Sequence, residues 1–275
     1  MNNKTNPYQV IDLTPARRAF LTSLNLPRPR RVMYGLLEVD VTRLRQFISE
    51  HKAQSGETLS FTGYLAYCLA YAVSENKEVQ AYRKGRRQYV LFDDVDVGLM
   101  VEKQVGDKRE LTGYVVRRAN HKTYLELHQE LRQAQSPQVP VGNAIPGWFR
   151  RTMLLPVPLP QLFIAFLSML IRGNPAMLVA MQGTVGVTAV GMFGKGHSGW
   201  GISATRHSLD LVVGSTAWKP AVVEGRIEPR ELLHLTVVFD HEVVDGAPAA
   251  RFTRRLVEMI ESGFGLGESQ PASAG

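Results

Sequence analysis

Cysteine is almost absent from this chain of 275 residues, which contains only Cys68. A single cysteine excludes a disulfide framework within the chain and fits a reducing compartment, so we expect a cytoplasmic protein. Cys68 lies in residues 61–73, an apolar stretch of helical character. A buried thiol with a packing role is therefore the expected interpretation, rather than a nucleophile.

Several other signals are missing. No cysteine or histidine spacing typical of a metal site is present, so no metal cofactor is expected. The net charge of +7 favours an anionic partner: a phosphorylated cofactor, nucleic acid or a membrane surface. No basic stripe interleaved with aromatic residues occurs, which argues against nucleic acid. The amino terminus has no apolar run of the kind found in secretory signals.

One long uncharged segment, residues 153–171, approaches the length of a membrane span. Prolines 156, 158 and 160 interrupt its first half, which leaves residues 161–171 as a predicted apolar helix. That length predicts a core helix, an interface or a membrane-surface element, and membrane contact through 153–171 is not favoured.

The periodicity of apolar residues predicts an α+β fold with a mixed sheet, because strands occur in runs between a few long helices. Predicted strands cover 32–39, 89–92, 95–101, 111–116, 184–190, 209–215 and 233–239, and predicted helices cover 15–24, 42–52, 60–76, 124–135 and 248–262. We expect a flexible amino terminus at 1–12, one domain at 13–263 and a flexible tail at 264–275.

The stretch with the clearest chemical content follows the last predicted strand. It contains His241 and, four residues later, Asp245 and Gly246, after which a helix begins. The pattern His-x-x-x-Asp-Gly is weak by itself. A purely structural interpretation has Asp245 capping the helix, Gly246 forming the turn and His241 ending the strand.

The surrounding residues extend the match. Residues 240–247 read Asp-His-Glu-Val-Val-Asp-Gly-Ala, and Ala-Arg-Phe follows at 250–252. This run resembles the Asp-His-Arg-Val-Val-Asp-Gly-Ala signature of the catalytic core of dihydrolipoamide acyltransferases of 2-oxo acid dehydrogenase complexes, within the chloramphenicol acetyltransferase-like superfamily. Residues 17–19 and 183–191 also resemble that family, and the resemblance covers about 12–263 except roughly 136–178.

The resemblance implies a two-layer sandwich with a mixed β-sheet covered by helices. It also implies roles for five residues. His241 is the expected general base, and Thr188 stands where the family has a serine that stabilises the oxyanion. Asp245 is expected to hold the histidine loop through an ion pair with Arg17, and Gly246 to support the same loop. Without the resemblance, Thr188 is equally well explained as a β-branched strand residue.

The expected substrates and partners follow from the same resemblance. The family moves acyl groups between coenzyme A and dihydrolipoamide, so coenzyme A or acyl-CoA is the expected substrate. A homotrimer is implied, with His241 and Thr188 contributed by neighbouring subunits, and larger cages are built from such trimers. The 275 residues contain no lipoyl domain or subunit-binding domain, so any lipoyl group is expected on another protein in trans. The residues that bind the cofactor are not identified.

The chain also departs from the family pattern. Glu242 replaces the usual arginine after the histidine, and residues 204–208 replace an expected Asn-x-Pro segment. Residues 136–178 form an apolar insertion, for which an acyl pocket, a trimer contact and a membrane contact are the alternatives. Two other functions stay open: a non-catalytic scaffold that builds a trimer or cage, and a condensation-type amide former, which lacks the first histidine of its motif.

Overall fold

The computed structural model describes residues 30–105, 108–136, 159–191 and 198–267. The predicted helix at 15–24, the residue Arg17 and the expected flexible segment 1–12 lie outside these residues. Within them the chain forms eight strands. They are β1 (Val32–Asp40), β2 (Tyr82–Lys84), β3 (Gln88–Val90), β4 (Val97–Val105), β5 (Lys108–Val116), β6 (Val185–Ala189), β7 (Leu209–Val223) and β8 (Arg226–Asp240).

The same residues form six α-helices. They are α1 (Thr42–Ser55), α2 (Phe61–Glu75), α3 (Tyr124–Gln135), α4 (Leu159–Gly173), α5 (Pro175–Gln182) and α6 (Gly246–Ser262). Their ends agree with the capping chemistry of the sequence. Ser60 accepts a hydrogen bond from the Gly63 N–H at the start of α2, Thr123 and Glu126 form a capping box on α3, and Gly263 ends α6 in the left-handed conformation.

Six strands form one sheet in the order β1-β8-β7-β6-β4-β5. The pairs β6–β7 and β4–β6 are parallel, and the other neighbouring pairs are antiparallel. The sheet is therefore mixed, as predicted. Strands β2 and β3 form a separate hairpin beside it. The register of β1 against β8 places Val32 opposite Asp240, so the beginning of β1 lies beside the end of the strand that leads to His241.

The two central strands are twice as long as predicted. β7 and β8 each contain 15 residues, and they are joined by a tight turn in which Glu224 and Gly225 both have positive φ. Two consecutive left-handed residues fit the twist of a hairpin. The prediction missed the distal half of each strand, where Trp218, Val222 and Ile227 are exposed and no buried face marks the pattern.

One face of the sheet carries the helix layer. Side chains from α1, α2, α3 and α6 pack against the strands in one continuous core, as the two-layer sandwich requires. Leu211, Leu235 and Val237 point into this core from the central strands. Because side chains alternate along a strand, Val212 and Thr236 point to the opposite face.

The opposite face is covered only in part. Residues 198–203 cross it, where the Gly201 carbonyl accepts a hydrogen bond from the Thr236 hydroxyl and the Leu37 carbonyl accepts one from the Trp200 indole. At the edge, Tyr34 and Leu36 of β1 remain exposed. The described part of this face therefore leaves apolar surface uncovered in a single chain.

The apolar segment forms two helices. The predicted helix at 161–171 is confirmed as α4, and α5 follows directly although the sequence analysis did not predict it. Ser168 of α4 is buried, whereas Leu162, Phe166, Met169 and Leu170 of the same helix are exposed. None of the helices in the described ranges combines the length and apolar character needed to cross a bilayer.

The expected tail boundary at residue 264 is too early. Leu266 is buried in the core, and the Phe264 ring stacks on Tyr67 with 5.8 Å between centroids. The chain turns back after Gly263, and Gly265 again takes a positive φ close to the Tyr67 ring. Residues 264–267 thus belong to the folded domain, because two of them bury apolar side chains that a solvated tail would leave in water.

Candidate active site

His241 lies in a turn that follows β8 directly. Its backbone N–H donates a 2.6 Å hydrogen bond to the Arg31 carbonyl, which holds the turn against the residue before β1. The imidazole itself is 51% exposed. A histidine held by its backbone while its ring remains open to solvent is available to a substrate, as a general base must be.

Asp240, the residue before His241, holds this turn in place through its carboxylate and its backbone carbonyl. Its carboxylate is 7% exposed and lies 2.6 Å from the Arg30 guanidinium, which is 10% exposed. The other carboxylate oxygen accepts a 3.0 Å hydrogen bond from the Glu242 N–H, and the Asp240 carbonyl accepts hydrogen bonds from the N–H groups of Val243 and Val244. Asp240 therefore fixes the residues on both sides of His241.

Arg30 connects this anchor to the rest of the sheet edge. Besides Asp240 it donates hydrogen bonds to the Ser208 hydroxyl at 3.0 Å and to the Arg206 carbonyl at 3.2 Å. Its guanidinium carbon also lies 4.9 Å from the centre of the buried Tyr82 ring. A planar guanidinium can serve two acceptors and stack on an aromatic ring at the same time, which an ammonium group does not do.

Glu242 anchors the turn from the other side. Its carboxylate lies 2.8 Å from the Arg83 guanidinium of β2, and its backbone carbonyl accepts a 2.6 Å hydrogen bond from the Tyr89 hydroxyl of β3. The pair is half-buried, with side chains 32% and 29% exposed. The residue that departs from the family pattern therefore makes a defined contact with the β2–β3 hairpin.

Asp245 and Gly246 occupy the start of α6. The Asp245 carboxylate is 87% exposed and lies 3.8 Å from the His241 Nδ1 atom, longer than a hydrogen bond. Asp245 is the N-cap residue, but its side chain accepts no cap hydrogen bond, so the capping interpretation is not supported. Gly246 does not have a positive φ, and a Cβ at this position would meet no atom within 4 Å. Among the described residues of a single chain, nothing requires glycine there.

The expected partner of Asp245, Arg17, lies outside the described residues. Within the described residues, the ion pairs beside His241 join Arg30 to Asp240 and Arg83 to Glu242. Sequence reasoning missed the pairing of Arg30 with Asp240. The available signal was the position of Asp240 at the end of the mostly apolar run 232–239, where a buried carboxylate needs a cation or several donors.

Thr188 is half-buried on the face of the sheet away from the helix layer. It is opposite Val212 on β7, and Val212 is opposite Thr236 on β8. Asp240, at the end of β8, lies four residues beyond Thr236, which is about 13 Å along the strand. Thr188 lies two strands away from β8, which adds about 10 Å across the sheet. A single chain therefore does not bring Thr188 to His241.

A second buried ion pair lies at the same end of the sheet. His207 Nδ1 is 2.6 Å from Asp210, and His207 Nε2 is 3.1 Å from the Gln182 carbonyl. The Asp210 carboxylate also accepts hydrogen bonds from the Thr205 hydroxyl and two backbone N–H groups. Burial alone would raise the pKa of Asp210, but His207 and these donors outweigh it and hold the pKa at about 2.

The loop 204–208 is thus more than a surface connection. The Gln182 side chain donates to the same Arg206 carbonyl that Arg30 contacts. The end of α5, the His207–Asp210 pair and the Arg30–Asp240 pair therefore form one polar network that leads to the His241 turn.

Cys68 is fully buried, as expected, and burial raises the pKa of its thiol to about 12. A thiol with that pKa is not ionised at neutral pH and has no access to substrate. Among the described residues, no group of three histidine, cysteine or acidic side chains is arranged to hold a metal ion.

The family model described as 2-oxoacid dehydrogenases acyltransferase (catalytic domain) matches this chain. It covers residues 5–137 and 176–265, which is most of the chain and includes the His241 turn. The chain belongs to this acyltransferase family. The internal unmatched residues, 138–175, fall within the segment 136–178 that the sequence analysis set apart, and they include α4.

A curated relative of this chain is the dihydrolipoyllysine-residue acetyltransferase component of the pyruvate dehydrogenase complex of Zymomonas mobilis. It is 32% identical over 265 residues, which are 94% of this chain and 51% of that protein. The chain thus spans about half the length of this relative.

Solved structures share the fold. One is the Azotobacter vinelandii dihydrolipoamide acetyltransferase, studied for the role of a serine, a histidine and an asparagine in its catalytic mechanism. It has a TM-score of 0.65 and 21% identity, with 96% of each chain covered. Another is the cubic core of a pyruvate dehydrogenase multienzyme complex, with a TM-score of 0.63, 20% identity and 96% of each chain covered. The α+β acyltransferase fold of the chain is therefore confirmed.

Proposed function

We propose that this protein transfers an acyl group from an acyl-CoA thioester to a thiol acceptor, with His241 as the general base. The observation that carries the proposal is the His241 turn. A half-exposed imidazole ends a buried strand, and ion pairs on both sides hold its backbone in place. A scaffold has no physical need for an open imidazole in a turn that is held this firmly.

The chemistry suits a histidine. A thiol has a pKa near 8.5 and is mostly protonated at neutral pH, so a neutral imidazole within hydrogen-bond reach can take its proton as the sulfur attacks the thioester carbonyl. The carbon–sulfur bond of the thioester then breaks, the acyl group moves to the acceptor sulfur, and the proton returns to the departing thiolate. The reaction consumes one thiol and one thioester and yields one thiol and one thioester, so it balances without a metal or a redox step.

The attack places negative charge on the carbonyl oxygen, and the Thr188 hydroxyl is the proposed donor for it. Preorganised donors at such a position contribute about 3–4 kcal/mol to transition-state stabilisation. Thr188 is too far from His241 in the same chain, so the complete site needs a second subunit. Its exposure on the partly uncovered sheet face supports a contact of that kind.

We therefore propose a homotrimer in which each site combines His241 of one subunit with Thr188 of its neighbour. The cubic core that shares the fold supports an assembled state, and a larger cage built from trimers is the corresponding extension. The proposed acceptor is a dihydrolipoyl group carried by another protein, because a relative that matches 94% of this chain is a dihydrolipoyllysine-residue acetyltransferase.

The experiment is a measurement of free thiol released from acyl-CoA donors of increasing chain length, with dihydrolipoamide and with simple amines and alcohols as acceptors. We expect turnover with dihydrolipoamide, and a loss of at least about 10²-fold in kcat for His241→Ala. A well-folded trimer that turns over no donor would instead support the scaffold function. Turnover that is unchanged in His241→Ala would exclude His241 as the base.

A further inference from the structure

The turn of the β2–β3 hairpin carries an unusual concentration of positive charge. Residues 83–87 read Arg-Lys-Gly-Arg-Arg, and no acidic residue occurs from 79 to 92. Lys84, Arg86 and Arg87 are exposed. Within the described residues, Arg83 is the one residue of this hairpin that forms an ion pair, and its partner is Glu242. Among the residues that the structure describes, Lys84, Arg86 and Arg87 therefore have no carboxylate partner.

This basic turn is tied to the His241 loop. Arg83 and Tyr89, which are opposite each other in the hairpin, both contact Glu242, the residue after His241. The turn projects about three residues beyond that contact, which corresponds to roughly 10 Å at the rise of a strand. Arg31 is another exposed cation, and it lies on the other side of the His241 loop. Its backbone carbonyl accepts the hydrogen bond from the His241 N–H.

We infer that Lys84, Arg86 and Arg87 bind the phosphate groups of the acyl-CoA donor. The inference rests on the proposed function and names the part of the chain that recognises its substrate. Guanidinium groups bind phosphate oxygens through paired hydrogen bonds, and an ammonium group adds a compact charge. Coenzyme A carries its thiol at one end of a flexible arm and its phosphates at the other. A cationic patch set apart from the base, on an element that contacts the base's own loop, matches that separation.

The test compares two donors that share the same thioester but differ in phosphate: acetyl-CoA and S-acetylpantetheine. If another acyl group gives higher turnover, its matched pair is used. In Arg86→Gln/Arg87→Gln we expect the KM for the CoA donor to rise by about tenfold, since exposed charge pairs each change affinity by a few-fold. The KM for the pantetheine donor and both kcat values stay unchanged. The KM for the CoA donor also becomes less sensitive to salt, because fewer phosphate contacts remain to be screened.

The matched control is Lys52→Gln/Arg226→Gln, which removes the same charge from two exposed positions. Arg226 is the first residue of the 15-residue strand β8, and His241 follows the other end of that strand. The control therefore tests the loss of net charge without a change near the base. This control should keep the wild-type KM for both donors. Unchanged thermal unfolding of all variants establishes that the hairpin remains folded.

Three results would overturn the inference. Equal increases in KM for both donors would mean that the turn acts on the His241 loop rather than on phosphate. An effect seen only with a protein-borne acceptor would assign the patch to an acidic partner. No change in either KM would leave the turn a solvated surface.

If the wild type turns over no donor, the proposed function fails, and the phosphate site is tested separately. Calorimetric titration with CoA and with pantetheine then decides, because loss of CoA affinity in the double variant alone supports the site. Equal CoA affinity in the variant and the wild type excludes it.

Discussion

The Arg30 guanidinium lies 2.6 Å from the Asp240 carboxylate, and this buried pair joins a residue two positions before β1 to the residue before His241. The pair is possible because β1 and β8 are neighbours whose register places Val32 opposite Asp240. Burying two charges is costly unless both are well paired, and here each partner makes further hydrogen bonds. The pair therefore sets the position of the His241 backbone.

Replacing Arg30 with methionine should leave Asp240 buried without its cation. We expect the free energy of unfolding to fall by about 3 kcal/mol, which is typical when one partner of a buried pair is removed. We also expect kcat to fall by roughly ten- to a hundredfold, because small displacements of a catalytic group are costly. Urea denaturation and the thiol-release assay measure the two effects.

A double-mutant cycle with Asp240→Asn separates this pair from other contacts of Arg30. If the pair acts as proposed, the double variant should be less impaired than the sum of the two single variants, in both stability and kcat. Additive effects would show that Arg30 and Asp240 act independently.

The Arg83–Glu242 pair allows a charge-reversal test. Arg83→Glu and Glu242→Arg each place like charges at the hairpin contact, and we expect kcat to drop by about tenfold in each. The double variant restores opposite charges, so kcat should recover to within about threefold of the wild type. Double-variant activity no better than that of the single variants would mean that the contact does not position the loop.

The sequence predicted some parts of this fold well, because local chemistry determines them. The helix at Tyr124–Gln135 was predicted with its observed ends, since Thr123 and Glu126 form a complete capping box. The final helix also ends at Gly263 as predicted. Such signals lie within a few residues of the boundary that they define.

What the sequence did not predict depends on distant residues. Arg30 and Asp240 are separated by 210 positions, and only the pairing of β1 with β8 brings them together. The distal halves of β7 and β8 were missed because they pair with each other and bury little, so they carry no apolar alternation. The pairing of His207 with Asp210 was not predicted, since nothing local indicates that the two side chains meet in a buried position beside the end of α5.

Asp210→Asn tests the second buried pair. At pH 7 we expect the variant to be less stable than the wild type by about 3 kcal/mol, because His207 loses its carboxylate. The pKa of Asp210 is lowered from its ordinary value of 3.8 to about 2, so its ionised form contributes stability above pH 3.8. That contribution is lost as the pH falls from 3.8 towards 2. The stability difference between the two proteins should therefore shrink over this range.

Denaturation curves at several pH values measure this difference. Asp245→Asn is the matched control, since its carboxylate is 87% exposed and should change stability by less than about 0.5 kcal/mol. If the difference in free energy of unfolding between Asp210→Asn and the wild type stayed constant down to pH 2, it would contradict the low pKa assigned to Asp210.

The separation of Thr188 from His241 predicts complementation between two inactive proteins. Thr188→Val removes the hydroxyl and keeps the branched shape, and His241→Ala removes the base, so each variant alone should lose about 10²-fold or more in kcat. When the two variants are mixed in equal amounts, a site has both wild-type residues if a Thr188→Val subunit supplies His241 and a neighbouring His241→Ala subunit supplies Thr188. Random mixing around a three-fold ring yields about one such site in four.

We therefore expect mixing to restore roughly a quarter of the wild-type rate, measured by thiol release after subunit exchange in mild urea. Thr188→Ser, which keeps a hydroxyl, should remain active without mixing. If both residues of a site came from one chain, no mixture could assemble an intact site, and the rate would stay at the mean of the two variants. Recovery in the mixture thus tests the shared site independently of the acyl group and the acceptor, because the same donor and acceptor are used throughout.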